Sequence, residues 1–275
     1  MKRYSLFFSA VMVLSLSVLS FDLYSQEKTG KDIYTPHVGQ EGKDVVWVPT
    51  PQALVEKMLD LAKITGEDYL IDLGSGDGRT VITAAKRGTH ALGIEYNPDM
   101  VALSKESAEK EGVSDKAQFT EADLFETDLS AASVITMFLL PDINLRLRPK
   151  LLDLKPGTRI VSNTFTMQDW QYDDSVKISD TKVRWNTAFL WIVPARVEGI
   201  WKMNDGGLSL TQEFQMISGT FKKGTKTVDI TSGRLRGNEI SFTAGSEVFT
   251  GVVNGNNIAG KVTIDGKSTQ WSATR

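Results

Sequence analysis

Hydrophobic positions along residues 45–194 form short apolar runs that are separated by segments with helical spacing. The runs have the length of strands and cover residues 69–73, 91–95, 117–121, 133–140 and 158–163. Crossover helices are predicted between them, at residues 80–86, 98–111 and 145–154. Strands that alternate regularly with helices are typical of a parallel sheet that is covered on both faces. The pattern therefore predicts an α/β fold with a doubly wound, mostly parallel sheet.

Both ends of this region carry further elements. Thr50 and Pro51 are residue types that favour the cap and the first position of a helix. Apolar residues then recur at helical spacing as far as Ala62, which predicts a helix before the first strand. At the other end, residues 182–193 are predicted to form closing antiparallel strands, with alternation at Val183, Trp185, Thr187 and Phe189.

The pattern changes after Pro194, and residues 195–275 are predicted to form a separate β-rich domain. Short alternating segments and frequent glycines replace the helical spacing. Gly237-Asn238 and Gly255-Asn256 each separate two such segments, as hairpin turns do. We expect five or six strands in a small antiparallel sheet or barrel that closes with Trp271. Binding of a partner or polymer, packing on the first domain and dimerisation are all compatible with it.

The amino terminus resembles a secretory signal. Lys2 and Arg3 precede an apolar run at residues 6–19, which is short for a transmembrane helix. Residues 1–25 are therefore predicted to be a signal peptide or an uncleaved membrane anchor, and residues 26–44 an extended, weakly ordered lead-in. We expect a protein that is exported, periplasmic or secreted, or attached to a membrane through this segment.

The amino-acid composition excludes several kinds of functional site. Hydrophobic residues make up 41% of the 275 residues and charged residues 24%, as in globular proteins. The formal net charge of −3 gives no overall basic field for nucleic acid. The chain contains no cysteine, which excludes disulfides, thiolate zinc sites and a cysteine nucleophile. With only His37 and His90, a histidine-rich metal site is also excluded, and we predict no metal.

The strongest chemical signal is the glycine-rich stretch Asp72-Leu-Gly-Ser-Gly-Asp-Gly78, which lies between the first strand and a helix. Glycines allow the backbone to turn sharply and to approach a ligand closely. The free N–H groups and the positive dipole end at the start of the helix are typical of a nucleotide site. The dinucleotide motif requires a third glycine at position 79, where this chain has Arg79. The NTPase phosphate loop requires Gly-Lys-Ser/Thr, which is missing. The remaining pattern has an acid at Asp72, which suits a ligand with an ammonium and a sulfonium.

Two more acids follow the next two predicted strands. Glu95 ends the second strand, about twenty residues past the loop, where a carboxylate can accept both ribose hydroxyls. Asp123 follows the third strand. Acids at strand ends are common on surfaces, but the carboxyl ends of parallel strands meet at one edge of a sheet. We therefore expect all three carboxylates to lie in one crevice.

The acidic glycine loop, the two following acids and the stretch Leu154-Lys-Pro-Gly-Thr-Arg-Ile-Val161 resemble class I S-adenosylmethionine (SAM) methyltransferases. The resemblance covers residues 45–194 and implies a Rossmann-like methyltransferase domain with SAM as its cofactor. It implies that Asp72 lies near the amino group of SAM, Glu95 at the ribose and Asp123 at the adenine amino group. It also implies further cofactor contacts from Gly74, Ser75, Gly76, Gly78 and Leu124.

One branch of this superfamily is the most similar in its motifs. Val48-Pro-Thr-Pro51, Glu95-Tyr-Asn-Pro98 and the segment from Phe165 to Trp170 resemble the mitochondrial lysine methyltransferases of the ATP synthase c-subunit and the adenine nucleotide translocase. The resemblance implies methyl transfer to a nucleophile, such as a protein lysine. A small-molecule acceptor is the alternative. Nucleic acid is disfavoured, because the Asn/Asp-Pro-Pro-Tyr/Phe motif and the cysteine of pyrimidine methylation are missing.

The acceptor side is expected at the ends of the fourth and fifth strands. Asp142 and Asn163 are the catalytic candidates, and the carboxylate of Asp142 can orient or deprotonate an amine. Thr50, Phe165 and Trp170 are the substrate-side candidates, and the two aromatic rings can hold an ammonium by cation–π contact. A binding protein without turnover is the alternative from another class, because SAM is made in the cytoplasm and an exported enzyme needs a supply.

Overall fold

The computed structural model describes residues 34–179 and 184–275, which include seven strands of a mixed sheet. The strands are β1 Tyr69–Leu73, β2 His90–Glu95, β3 Ala117–Glu121, β4 Val134–Met137, β5 Arg159–Asn163, β6 Asp174–Lys177 and β7 Thr187–Ile192. The predicted signal or anchor at residues 1–25 lies outside the described residues, as does Val183.

The sheet has the strand order β3-β2-β1-β4-β5-β7-β6. The first five strands are parallel, whereas β7 runs antiparallel to both β5 and β6. All four residues of β4 are buried, as expected for a central strand that is covered on both faces. The structure confirms the predicted α/β fold. The short, largely exposed strand β6 was not predicted, because it has no apolar run.

Four helices pack on this sheet, namely α1 Gln52–Ala62, α2 Arg79–Lys86, α3 Pro98–Lys110 and α4 Pro141–Leu152. Asn97 caps α3, with its side chain accepting from the backbone of Asp99 and Met100. The predicted cap of α1 was wrong. Pro51 is the N-cap residue of α1, no side chain of the described residues caps this helix, and the Thr50 hydroxyl is engaged elsewhere. Helix α4 begins four residues earlier than predicted, at a proline.

The carboxyl-terminal residues form a closed antiparallel barrel of eight strands, not the five or six that were predicted. The strands are β8 Gly199–Met203, β9 Gly206–Glu213, β10 Met216–Lys223, β11 Lys226–Arg236, β12 Glu239–Ala244, β13 Glu247–Asn254, β14 Asn257–Ile264 and β15 Lys267–Thr274. The predicted hairpin turns at Gly237 and Gly255 are confirmed. Strand β15 closes the barrel by pairing with β8.

Side chains fill the interior of the barrel, as is usual for eight strands. Phe242 and Phe249 stack at a centroid distance of 4.7 Å, and Trp271 meets both rings edge-on. Trp201 is fully buried in the same cluster. The inward-facing residues therefore build a packed hydrophobic core.

The barrel packs against the α/β part through polar and aromatic contacts. Arg234 forms a 2.7 Å ion pair with the buried carboxylate of Asp173, which also accepts from the backbone of Ile192. Phe214 stacks on Trp170 at a centroid distance of 5.9 Å. Trp170 is fully buried, so it belongs to this core and not to an exposed acceptor site. Of the predicted barrel functions, packing on the first domain is the one that the structure shows.

Across residues 34–179 and 184–275, no helix has both the length and the apolar character needed to cross a membrane.

Candidate cofactor cleft

The glycine loop turns sharply between β1 and α2. The backbone amides of Gly74 and Ser75 both donate to the carbonyl of Ile94 in β2, at 2.9 and 3.0 Å. Gly76 has a φ of +55°, and a β-carbon there would lie 2.6 Å from Nε1 of Trp47. Only glycine allows the loop to pass this close under the indole.

Gly78 begins the helix that follows the loop, and its contact with the cofactor stays a prediction. It has a φ of +78° and caps α2. A β-carbon there would lie 2.7 Å from the ring of Phe119 in β3 and 2.8 Å from Oγ of Ser104 in α3. Gly78 does not line the cleft. Its small size instead lets α2 begin close to β3 and α3.

Arg79 occupies the position where a dinucleotide site requires glycine. Its guanidinium forms an ion pair with Asp77 at 2.5 Å and donates to the backbone carbonyl of Thr50 at 3.0 Å. The side chain therefore ties the segment before α1 to the loop after β1. This contact explains why a long cation is accommodated at this position.

Asp72 is buried at the end of β1 and accepts from the hydroxyl of Thr136 at 2.6 Å. Burial raises the pKa of Asp72 to about 7, and the nearby carboxylates of Glu95 and Asp77 also raise it. The Thr136 hydrogen bond opposes this shift in pKa without cancelling it. Close to neutral pH, the cleft therefore holds a carboxyl group whose charged form has no cationic partner among the described residues.

Glu95 is held by backbone groups on two sides. One carboxylate oxygen accepts from the amide of Gly76 at 2.9 Å, and the other accepts from the amides of Tyr96 and Asn97 at 2.9 Å. These bonds connect the glycine loop to the turn after β2 and fix the orientation of the carboxylate, which lines the cleft. Contact with a ribose stays a prediction.

Asp123 lies after β3 and already has a cationic partner. Its Oδ2 is 2.5 Å from Nζ of Lys43, and its Oδ1 accepts from the amide of Phe125 at 2.8 Å. The hydrogen bond from Lys43 lowers the pKa of Asp123 and raises that of Lys43. The same ammonium lies 4.6 Å from the ring centroid of Tyr96. The oxygen expected at an adenine amino group is thus in contact with an ammonium of the chain itself.

Lys43 belongs to a loop that covers the cleft. Two backbone hydrogen bonds of 2.9 Å close this loop, from Gly39 to Trp47 and from Trp47 to Gln40. Residues 40–50 all line the cleft, together with the predicted contacts Asp72, Gly74, Ser75, Gly76, Glu95, Asp123 and Leu124. The predicted lead-in has no regular secondary structure in its described part, as expected, but it is part of the site.

Of the acceptor-side candidates, the structure brings Thr50 and Asn163 into contact but not the others. Asp142 is exposed on the second residue of α4 and does not line the cleft. Asn163 is fully buried, and its amide donates to the Thr50 hydroxyl at 3.2 Å, so it links β5 to the segment before α1. Thr50 lines the cleft. Phe165 packs against Phe138 and Trp185, and Trp170 lies in the core.

The residues present fit a cationic nucleoside cofactor. The predicted acids Asp72, Glu95 and Asp123 line the cleft, and so do three further acidic residues, Glu41, Asp44 and Asp77. Ser75 lines the same space, and its buried hydroxyl has no hydrogen-bond partner among the described residues. A ligand with hydrogen-bonding groups and positive charge would satisfy both features.

Comparison with known proteins decides the family. The ANTKMT methyltransferase domain matches residues 72–174. A protein-lysine N-methyltransferase of Saccharolobus islandicus (strain REY15A) is 40% identical over 163 residues, which is 58% of this chain and 96% of that protein. The chain belongs to this methyltransferase family. SAM is its cofactor, and bound SAM supplies an electrophilic methyl group.

Two further relatives extend the comparison. This chain is 35% identical to the human ATP synthase c-subunit lysine N-methyltransferase over 46% of its own length. The match spans only 54% of the human protein. A crystal structure of an RNA methyltransferase from Salinibacter ruber with S-adenosyl-L-homocysteine is 43% identical, with a TM-score of 0.51. The matched region covers 55% of this chain and 96% of the Salinibacter ruber chain. The barrel lies outside the residues that the family matches.

Several cleft residues had no recognisable signal in the sequence. Lys43 sits in a polar stretch, and its contact with Asp123 spans 80 positions. Asp77 and Tyr96 line the cleft beside predicted residues. Phe138 also lines it, directly after β4, where the acceptor side was expected. Being next to a motif was the only signal that could have identified them.

The pKa of Asp72 predicts how SAM affinity depends on pH. A cationic ligand favours the charged carboxylate, so binding lowers the pKa of Asp72 from about 7. Affinity should therefore rise with pH up to about 7, by at most about tenfold per pH unit, and level off above it. Calorimetry in buffers of different ionisation enthalpy should detect proton release below that pH.

The substitution Asp72→Asn should weaken SAM binding about 10- to 100-fold at pH 8, because it removes a charge-assisted contact. It should also flatten the dependence on pH relative to the wild-type protein. Asp205→Asn, in the exposed turn between β8 and β9, is the control with the same change in charge. Equal pH profiles for Asp72→Asn and the wild-type protein would refute the assignment.

Lys43 allows a second prediction about the cleft. If its ammonium competes with the cofactor for Asp123, Lys43→Met should tighten SAM binding by up to about fivefold. Methionine keeps an apolar side chain near Tyr96 but removes the charge, whereas Lys43→Ala removes both. Titration calorimetry at low and high salt should show the gain shrinking as salt screens the ion pair. Weaker binding by Lys43→Met would mean that Lys43 helps to hold the cofactor.

Proposed function

We propose that this methyltransferase transfers the methyl group of SAM to the side-chain amine of protein lysines. The observation that carries the proposal is the 40% identity to a protein-lysine N-methyltransferase along 96% of that protein. Similarity to the human ATP synthase c-subunit lysine N-methyltransferase supports the same acceptor. An RNA acceptor is the second candidate, because a similar crystal structure is described as an RNA methyltransferase.

The cofactor supplies the methyl group, and the chain has to bind the lysine amine and favour its neutral form. A lysine amine attacks only in its neutral form, and its ordinary pKa of about 10.4 keeps it protonated in water. The chain must therefore receive the amine in surroundings that lower its pKa, while the three carboxylates hold the positively charged cofactor. The apolar residues Met137, Phe138 and Leu139 line the cleft on the β4 side and provide such surroundings.

Methyl transfer can be tested without knowing the acceptor in advance. The full chain is incubated with methyl-labelled SAM and separate soluble and membrane extracts of its source cells. We expect label that resists ribonuclease, is released by protease, and appears as methylated lysine after acid hydrolysis. Asp72→Asn is the control with impaired cofactor binding. Label that ribonuclease releases would favour the RNA acceptor, and label only in small molecules would refute both.

We also propose that the chain works outside the cytoplasm or attached to a membrane. The support is the pattern of Lys2, Arg3 and the apolar run at residues 6–19. Attachment with the enzyme facing the cytoplasm would keep it supplied with SAM. In this arrangement the acceptor would be a membrane or envelope protein.

A topology reporter tests this location. Alkaline phosphatase fused after Arg275 should be active if the carboxyl terminus is exported, and a fluorescent fusion should fractionate with membranes if it faces the cytoplasm. Deletion of residues 1–25 should abolish either result. A full-length fusion found only in the soluble cytoplasmic fraction would refute the proposal.

A further inference from the structure

Three aromatic side chains form a compact cluster beside the cleft. Phe138 and Phe165 lie 6.1 Å apart between ring centroids, and Trp185 lies 6.0 and 5.6 Å from them. Each of the three residues is partly exposed, unlike the buried Trp170 and Trp191. Because the rings support one another, they form a fixed aromatic wall that faces solvent at least in part.

The topology of the sheet explains why these three residues meet. Phe138 follows the last residue of β4, and Phe165 comes two residues after the end of β5. Trp185 comes two residues before β7, which runs antiparallel to β5 and pairs Ala188 with Asn163. All three side chains therefore lie at the edge of the sheet that also carries the glycine loop.

The aromatic wall lies on the side of the cleft that the acids leave open. Asp72, Glu95 and Asp123 lie at the ends of β1, β2 and β3, which extend to one side of the sheet. Strands β4, β5 and β7 extend to the other side. Phe138 lines the cleft itself, and its neighbour Leu139 packs beside Gly74. The acids and the aromatic wall thus lie on opposite sides of the glycine loop, along the same edge of the sheet.

A cation of the chain already lies on the aromatic wall. The guanidinium of Arg184 is 4.8 Å from the ring centroid of Trp185, within the range of a cation–π contact. The face of Trp185 is thus able to hold a positive charge. A lysine side chain has the matching chemistry, with an apolar stem for the rings and an ammonium for a ring face.

We propose that Phe138, Phe165 and Trp185 form the subsite that receives the acceptor lysine, with Trp185 determining specificity for a cationic side chain. The acceptor ammonium replaces Arg184 over the Trp185 ring, and its stem packs on Phe138 and Phe165. This proposal rests on the proposed function and names the site of its acceptor. It replaces the pair Phe165 and Trp170 that the sequence suggested.

The wall binds the ammonium, and the apolar part of the cleft deprotonates it. Where the amine leaves the Trp185 ring and enters the cleft beside Met137 and Leu139, apolar surroundings lower its pKa, so that its proton leaves to solvent water. The nitrogen lone pair then forms a bond to the methyl carbon while the methyl–sulfur bond breaks and its electron pair stays on sulfur. Each methyl added makes the amine more apolar and improves its fit to the rings.

Kinetics of Trp185 variants test the proposal on the labelled lysine acceptor. Trp185→Ala should raise the acceptor KM about 5- to 30-fold, as expected for loss of a cation–π contact, and Trp185→Phe should restore most of it. Arg184→Ala should lower the acceptor KM, because it removes a competing cation. Tyr172→Ala is the matched control, since Tyr172 is an exposed aromatic residue that packs on Phe189 and Trp191 instead.

A binding experiment separates this proposal from the proposed function. The indole N–H signal of Trp185, assigned by its loss in Trp185→Phe, is followed by NMR while Nα-acetyl-lysine amide is added to the protein saturated with S-adenosyl-L-homocysteine. We expect this signal to shift and the same titration with Nα-acetyl-norleucine amide to shift it less. Calorimetry should show unchanged S-adenosyl-L-homocysteine affinity in Trp185→Ala.

The outcomes are distinguishable. An unchanged acceptor KM in Trp185→Ala, with methylated lysine still formed, would overturn the wall and leave the proposed function standing. A shift of the Trp185 signal without any methylated lysine in the extracts would support the wall and refute the protein acceptor. No shift and a loss of kcat alone would overturn the subsite.

Discussion

A carboxyl group buried at the end of β1 sets the electrostatics of the whole cleft. Asp72 cannot be fully hydrated, and Glu95 and Asp77 add negative charge around it, so its pKa lies near 7 instead of near 4. Thr136 provides one hydrogen bond but no positive charge. The free enzyme therefore carries an electrostatic cost that a cationic cofactor relieves, and this cost favours SAM over neutral or anionic nucleotides.

A cationic side chain of the protein lies at each of two places where a charged ligand is expected, the carboxylate of Asp123 and the ring of Trp185. Lys43 contacts Asp123 on the β3 side, and Arg184 lies over Trp185 on the side of β5 and β7. Both side chains belong to segments without regular secondary structure, so they can move without disturbing the sheet. The rigid part of the site consists of strand ends and the glycine loop, whereas the cationic side chains are exchangeable.

The barrel supports the edge of the sheet that is farthest from the cofactor acids. Its core is filled by its own side chains, and it contacts the α/β part through Arg234, Phe214 and Gln215. These contacts hold Trp170, Asp173 and the segment that leads into β6. The barrel thereby packs against the antiparallel side of the sheet, where Trp185 precedes β7.

The sequence by itself determined the five parallel strands, the helices between them and the acids at the strand ends, because apolar runs, glycine turns and strand-end carboxylates are local patterns with a fixed geometric consequence. Strand β3 and the acid at Asp72 were located from a few neighbouring residues. Only the tertiary structure decided that Lys43 contacts Asp123, that Gly78 packs on Phe119, and that Trp185 and not Trp170 joins Phe165. Each of these contacts joins residues far apart in the chain, and which faces become buried depends on the packing of whole elements.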